Sequence, residues 1–564
     1  LRTDKDNHSR TGPSGDKGVK SRRHLHVLLI ASLLALHFGL LVSSLNQTSV
    51  TADEASHLAI GYGFLESGDA EWLILNPPLQ RSLAALPLLF QSVEFDAPTP
   101  EKTADFWHRG HGFMASNLEN YHGIFMSARS MVCLLSCFAG LLVYTLGRQV
   151  LGAGGGLVSL FFYSLSPAVL AHGGLVTTDL SAAVAGLAMI TGIIHYRSKQ
   201  SLPALIPAGL GFSLVFITKF NALIFLPIGM FLLALPKRVK EEGQESNGPK
   251  NRAIDILVVL AISWLVLCAS YLFQGLFTKP SDLCPESSLL GFINVLPDWL
   301  RLPAPAAYLK AMDLQLADVL GDQSVYLFGK RGPSFWYFPA CLLFKASLPM
   351  LVLFITGLFT CNRKTLYFVV LPGLFFFIVM GLITKKQMGL RMVLPALPFM
   401  FVIGGCAAAR LWKRAYKGWK RNIVAVLLGL ALAWHFAFAL LSYPHYIGAF
   451  NELAGGPCLP HHGHRFLADS NLDWGQDWIR LARWQDKNNV DNLSLAYFGI
   501  VDPALYGVEY EPDDCELKPG HLAVSANLVL GLDPYVKRKC YTVLKKRGPD
   551  EKIGTSVWIY RIKD

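Results

Sequence analysis

Charge is scarce in this chain: 16% of its 564 residues are Asp, Glu, Lys or Arg, where a soluble globular protein carries about 25%. That shortfall excludes a soluble multidomain enzyme, although the length alone would permit one. Cysteine motifs are missing too. The ten cysteines include no CxxC pair and no Cys/His spacing suited to zinc. No internal repeat is visible, which argues against the repeated halves of many secondary transporters. Nor is there a carboxylate cluster that would hold a divalent cation, so no cofactor and no metal is expected, and metal dependence stays open.

Apolar sequence is what the chain has in excess, 52% of residues, and it arrives in blocks. The first, His26 to Leu45, has about the 20 residues needed to span hydrocarbon. Ser43-Ser44-Leu45 makes a poor cleavage site, so a retained anchor is expected. Further spans are predicted at Ile124–Gly147, Gly154–His172, Leu180–Tyr196, Leu202–Ile217, Ala222–Leu235 and Ile254–Gln274. Others fall at Trp336–Thr360, Leu366–Ile383, Met392–Leu411 and Ile423–Leu441. The expectation is an α-helical polytopic membrane protein with about eleven transmembrane helices.

The cations give its orientation. Arg22-Arg23, Arg148, Arg197 with Lys199, Lys237-Arg238 with Lys240, Arg363-Lys364 and the run Arg410 to Arg421 all fall on one side. The positive-inside rule makes that side cytoplasmic, with Lys385-Lys386 as the exception. The net charge of +11 is thereby explained without nucleic acid. Residues 1–24 read as a disordered cytoplasmic tail. Residues 25–442 form the membrane domain, with outer loops at 46–123 and 275–335, and a Gly/Glu/Lys-rich linker at 237–252 lies inside. Residues 443–564 read as a small extracytoplasmic α/β domain, with strands at Arg465–Asp469, Asn492–Phe498, His521–Ser525 and Ser556–Ile562 and a helix at Gln476–Lys487. Cys284, Cys458, Cys515 and Cys540 would face an oxidising space where a disulfide can form, in a pairing that spacing does not reveal.

Large loops on one face mark the working surface. Thr51-Ala52-Asp53-Glu54 is a capping-box pattern opening an amphipathic helix, with Asp53 and His57 on one face. A second helix, opening at Asn76-Pro77-Pro78, carries Arg81. Lying in the interface, these two helices would keep Asp53 and Arg81 at head-group depth. Adjacent carboxylates at a membrane surface are costly unless wet or engaged in chemistry. Arg81, Arg129, Lys219, Lys345 and Arg391 are the surrounding cations. Each group has a plainer reading: Glu54 and Asp179 as helix caps, His57 as a head-group donor, Arg129 and Lys219 snorkelling, Arg391 anchoring a span.

Asp53-Glu54 after the first span, Asn76-Pro77-Pro78-Leu79, Thr177-Thr178-Asp179 and Thr218-Lys219-Phe220 together resemble glycosyltransferase family 39. So do Tyr326-Leu327-x-Gly329, Trp336-Tyr337-Phe338-Pro339 with Lys345, Gly389-x-Arg391, and the tail stretch Asp469 to Asp477. That family includes the dolichyl-phosphate-mannose protein mannosyltransferases. The chain resembles its bacterial branch of phospholipid-carrier-dependent enzymes, which are similar to the aminoarabinose transferases of lipid A.

The resemblance implies a C-type membrane fold and an inverting transferase. The donor would be a sugar on a polyprenyl phosphate, and the acceptor a protein hydroxyl, a lipid or a glycan at the outer face of the plasma membrane. It implies Asp53 as the base or acceptor-positioning group, with Glu54, His57 and Asp179 as further catalytic candidates. Arg81, Arg129, Lys219, Lys345 and Arg391 form the pool for the donor phosphate. In one departure, Asn76 stands where relatives often carry Lys or His before the Pro-Pro pair, and Arg81 is the substitute charge. The competing readings are a transporter or lipid flippase, and a non-catalytic scaffold.

Overall fold

The computed structural model describes residues 14–95, 99, 103–235, 249–320, 325–415, 418–458, 462–532 and 540–563. Among these, seven helices are long and apolar enough to cross a bilayer: His24–Leu45, Tyr121–Leu151, Asp179–Lys199, Arg252–Ser270, Arg363–Ile383, Leu390–Arg414 and Trp419–Leu441. Each contains or overlaps an expected span. The remaining expected spans are short or broken, each for a local reason.

The expected span Gly154–His172 divides into Ala153–Ser164 and Pro167–His172. Pro167 has no N–H to continue the ladder, and Ser166 before it is extended at φ −75°, ψ 118°. Trp336–Thr360 divides into Tyr337–Lys345 and Leu348–Thr360, with Ala346 and Ser347 extended between them. The break is held by side chains: Ser347 Oγ lies 2.6 Å from His435 Nδ1, and His435 Nε2 lies 3.1 Å from the Phe162 carbonyl. Lys219 is the third break, extended between Leu205–Ile217 and the turn Phe220–Ile224 that leads into Phe225–Ala234.

Two expectations need correction here. The first helix begins at Ser14, so the disordered tail expected to residue 24 is helical from there on; residues 1–13 and 236–248, which hold most of the linker, lie outside the described residues. The helix Glu54–Ser67 is not interfacial and amphipathic: every residue from Glu54 to Phe64 is buried, and only its last turn is not. The reason is packing on two sides. At Gly61 a Cβ would come 2.4 Å from the Arg81 carbonyl oxygen, and at Gly110 one would come 2.4 Å from Ser56 Oγ. Glycine at both crossings lets Leu79–Ala85 and Thr103–Ser116 close over the helix.

The second outer loop supplies the helix Ala306–Leu320 and a hairpin, Tyr326–Leu327 against Lys330–Arg331. Phe328 and Gly329 at its tip both have positive φ, 51° and 78°, as a two-residue primed turn requires. Phe328 N–H donates to the Phe466 carbonyl at 2.9 Å, and Leu327 bridges Leu467. That contact replaces the strand expected at Arg465–Asp469, which is two single turns instead.

The tail is an α/β unit. Its five strands run in the order Glu511–Pro512, Leu493–Ala496, Gly520–Ser525, Val557–Ile562, Glu551–Ile553. The central pair is parallel, Leu493 opposite His521, and the next is antiparallel, Ser525 opposite Val557. Val557 to Tyr560 are buried without alternation, as in strands covered on both faces. The helix Trp478–Asn488 buries Trp478, Leu481, Ala482, Trp484 and Gln485, and ends at Asn489 in the left-handed region. Cys515 and Cys540 are joined by a disulfide, while Cys284 and Cys458 are free and exposed.

Candidate active site

Three carboxylate–cation pairs line one cavity of roughly 230 Å³: Asp53 with Arg391, Asp179 with Lys219, and Asp318 with Lys386. Asp53 caps the helix Glu54–Ser67 by position, yet its side chain makes no capping bond. Its Oδ2 accepts instead from Arg391 Nη1 at 2.6 Å. Asp179, at the start of its span, accepts from Lys219 Nζ at 2.6 Å, and its other oxygen lies 3.8 Å from Arg391 Nη1. That second oxygen has no hydrogen-bond partner within the protein. The same is true of Thr177 Oγ1, Thr218 Oγ1 and both polar atoms of Asn221. Buried polar groups normally find partners, and of these residues Asp179 and Asn221 line the cavity, so their unpaired atoms are open to a ligand there. Phe220, Ile224, Met380, Ile383 and Met392 supply an apolar part of the wall, and Thr178, Asn221, Gln315 and Thr384 a polar one.

His57 lines the cavity next to Asp53. Its Nδ1 accepts from Arg81 Nε at 2.9 Å, so that nitrogen carries no proton. Burial first, then Arg81, Lys219 and Arg391, hold the imidazole well below its usual pKa and keep it neutral. Arg81 itself does not line the cavity. It is buried beneath Phe106, 5.6 Å from the ring, and donates to the Ile74 and Asn76 carbonyls at 2.6 and 3.2 Å. Its Nε and Nη1 hold His57 and the Asn76 turn, while its buried Nη2 has no partner within the protein. Asn76 does face the cavity.

Three further candidates are placed elsewhere. Glu54 and Arg129 hold each other: Arg129 Nη2 donates to Oε1 at 2.7 Å and Nε to Oε2 at 2.9 Å, with both side chains buried. Glu54 also accepts from Thr51 N at 2.9 Å and Val176 N at 3.1 Å. The capping-box glutamate is therefore real, and its carboxylate is fully used in joining three segments. Lys345 ends the first half of the broken span and donates to the Ile447 and Asn471 carbonyls at 2.8 and 2.7 Å. Its depth in the sequence block reflects a role tying the tail to the membrane domain. The structure thus does not bring Glu54, expected as a catalytic group, or Arg129 and Lys345, expected as phosphate ligands, to the cavity wall.

Residues beyond the expected set also reach the site. The sequence marks Lys386 only as a charge on the unexpected side and does not single out Asp318. The tail contributes Trp474, whose ring lies 4.1 Å from the Arg391 guanidinium carbon. Backbone bonds lock the two regions together: Ala52 N–H to the Trp474 carbonyl at 3.1 Å and Ser49 N–H to the Gln476 carbonyl at 3.2 Å. Gly389 has φ 83°, and a Cβ on it would lie 2.3 Å from Ser470 Oγ, so only glycine lets the tail turn pack against the Arg391 loop. Leu390 N–H then donates to Asn471 Oδ1 at 3.0 Å. Asp469, adjoining, has its carboxyl pushed up to about 6 by burial, against the pull of Arg391. Among the described residues, no group of three or more His, Cys, Asp or Glu side chains gathers in a metal-binding arrangement.

Archaeal oligosaccharyltransferase AglB from Archaeoglobus fulgidus, solved with an inhibitory peptide and a dolichol-phosphate, superposes with a TM-score of 0.51 at 10% identity, covering 96% of this chain and 74% of that one. The fold is that of the C-type membrane glycosyltransferases. Residues 122–268 match the family model for dolichyl-phosphate-mannose-protein mannosyltransferase, which is less than half of the chain and agrees with the family 39 resemblance. Two other C-type structures are similar. ArnT from Cupriavidus metallidurans in the apo state shares 12% identity over 96% of this chain and 98% of that one, TM-score 0.47. The A. fulgidus oligosaccharyltransferase in its apo form shares 12% identity at a TM-score of 0.43; 74% of this chain aligns, spanning 57% of its length. No curated protein sequence matches the chain.

Proposed function

We propose that this protein is an integral-membrane inverting glycosyltransferase that moves a sugar, of the hexose kind or related, from a polyprenyl phosphate to an acceptor at the outer face of the membrane. The observation that carries the reading is the Asp53–Arg391 pair set in an apolar-walled cavity with two more carboxylate–cation pairs. An isoprenoid phosphate needs both halves of such a site. Apolar wall meets the first prenyl units, and Arg or Lys meets the phosphate as negative charge builds on it. The cations here are the protein's own Arg391, Lys219 and Lys386.

The chemistry follows from the pairing. When the donor phosphate draws the Arg391 guanidinium, Asp53 is relieved of its partner and becomes available to the acceptor. The acceptor oxygen or nitrogen attacks the anomeric carbon on the face opposite the phosphate. The carbon–oxygen bond to the phosphate breaks, with its electron pair leaving on the polyprenyl phosphate, while Asp53 takes the acceptor proton. Asp179, which lines the same cavity as Asp53, would offset positive charge developing on the sugar ring. Neutral His57, fixed by Arg81, borders the same space without competing for the proton.

The test uses the full chain in lipid nanodiscs with a panel of polyprenyl-phosphate sugars and hydroxyl acceptors. Wild type should release polyprenyl phosphate in step with a covalent product, and Asp53→Asn should abolish release while still binding polyprenyl phosphate and melting like wild type. Full transfer by Asp53→Asn overturns the assignment of the base. Movement of labelled lipid across liposomes with no covalent product would replace the enzyme by a transporter.

A further inference from the structure

A second cavity, of roughly 420 Å³ and almost wholly apolar, lies at the other end of the membrane domain. The turn at Gly152–Gly154 forms one wall, Ala408, Ala409 and Trp412 the opposite one, and Leu428 closes it. Gly152, Ala153, Gly154, Gly155, Ala408 and Ala409 are small and leave the space open: a Cβ on Gly154 would meet no atom within 4 Å. Lys413 is on the rim, and Arg421 lies over the Trp412 ring at 4.7 Å. Arg148 ends the helix Tyr121–Leu151, and Arg414 ends the helix Leu390–Arg414, which also carries Arg410 in its last turns.

None of Arg148, Arg410, Lys413, Arg414 and Arg421 has a carboxylate partner among the described residues. Neither 140–160 nor 404–441 contains a single Asp or Glu. An uncompensated cationic rim above an apolar groove at a helix end matches one chemistry, a hydrocarbon chain under an anionic head group. The half-exposed Trp412 stands where interfacial tryptophans sit.

We propose that this groove is a binding site for one anionic phospholipid of the surrounding bilayer, its acyl chain beside Gly154 and its phosphate between Lys413 and Arg421. The donor lipid is a poor candidate on position. Arg391 and Lys413 stand at opposite ends of the segment Leu390–Arg414, roughly 33 Å apart at helical rise, so the groove and the reaction cavity lie about one hydrocarbon thickness from each other. The inference does not depend on the transferase reading.

The experiment titrates the full chain, delipidated in neutral detergent, with phosphatidylglycerol, phosphatidylcholine or polyprenyl phosphate, read by native mass spectrometry and thermal shift. One phosphatidylglycerol should remain bound and raise the melting temperature, and phosphatidylcholine should do neither. Gly154→Leu fills the groove without a backbone collision and should abolish the retained lipid, whereas Gly154→Ala should keep it. Lys413→Gln with Arg421→Gln should weaken retention about tenfold or more and leave groove volume intact. Equal retention of phosphatidylcholine, retention of phosphatidylglycerol by Gly154→Leu equal to that of Gly154→Ala, or displacement of phosphatidylglycerol by equimolar polyprenyl phosphate each overturns the proposal.

Discussion

Asp53 and Arg391 stand 338 positions apart in the chain and 2.6 Å apart in space. The guanidinium is fixed from three directions, by Asp53, by the second oxygen of Asp179 and by the Trp474 ring. Charge alone does not reproduce that arrangement. Lysine carries a point charge without the planar fork or the stacking face. Arg391→Lys should therefore fold and bind donor, yet lose on the order of 10²-fold in single-turnover rate. Trp474→Leu should show a smaller loss of the same kind, in the rate constant rather than in donor KM. Wild-type turnover by Arg391→Lys would mean that the geometry of the arginine is irrelevant.

Lys386 and Asp318 give a prediction with two signs. In this structure Asp318 holds the Lys386 ammonium, and a donor phosphate must compete with it. Lys386→Gln removes a phosphate partner and should raise donor KM severalfold. Asp318→Asn frees the lysine and should lower it. Donor titrations of the two variants decide it, and movement of KM in the same direction for both would remove Lys386 from the site.

Glu54 and Arg129 should separate structure from catalysis. Removing one partner of a buried ion pair leaves the other charged and unpaired, at a cost of about 3–5 kcal/mol. Glu54→Gln and Arg129→Met should each melt well below wild type, while turnover per correctly folded molecule stays near normal. Replacing both by apolar residues should not restore stability fully, because Thr51 N and Val176 N would also lose their acceptor. Melting curves paired with active-site-normalised rates supply the comparison. A large fall in turnover with unchanged melting would return Glu54 to the chemistry.

How far the sequence could be read depended on the kind of signal. Hydrophobic blocks carry spans, because apolar length is a local property, and seven long helices coincide with them. Asp53 and Asp179 were visible as acids at the starts of helices, and Lys219 as a charge splitting a hydrophobic run too long for one crossing. Breaks at Ser166 and Ser347 were less visible, since side chains far along the chain, His435 and Asn451, satisfy the freed backbone. Lys345 misled because depth in an apolar block does not say which neighbour faces the ammonium. The tail carbonyls that receive it lie more than a hundred residues away in the chain. Trp474 illustrates the same limit: its stacking on Arg391 depends on Gly389 admitting Ser470, a three-dimensional coincidence with no periodicity to announce it.

The tail's Asp473 makes the stability of that domain pH-dependent. Its carboxylate is buried and accepts from Ser525 Oγ, Asn527 N at 3.1 Å and Gly475 N at 3.3 Å. Burial pushes its pKa up to about 7, against the pull of those bonds. Between the unfolded value of about 4 and this folded one, the native state binds a proton that the unfolded state has lost. The slope of stability with pH is therefore negative across that window. The group's stabilisation is complete below about pH 4 and gone above about pH 7. Asp473→Asn, which cannot titrate, should flatten this part of the profile. The measurement is the difference in melting temperature between about pH 5 and about pH 8, taken for wild type and variant in the same detergent. Asp469 titrates in both proteins and cancels from the comparison. Wild type should lose more stability on the alkaline side than the variant does, and identical slopes would mean that the Asp473 carboxyl is already charged when folded.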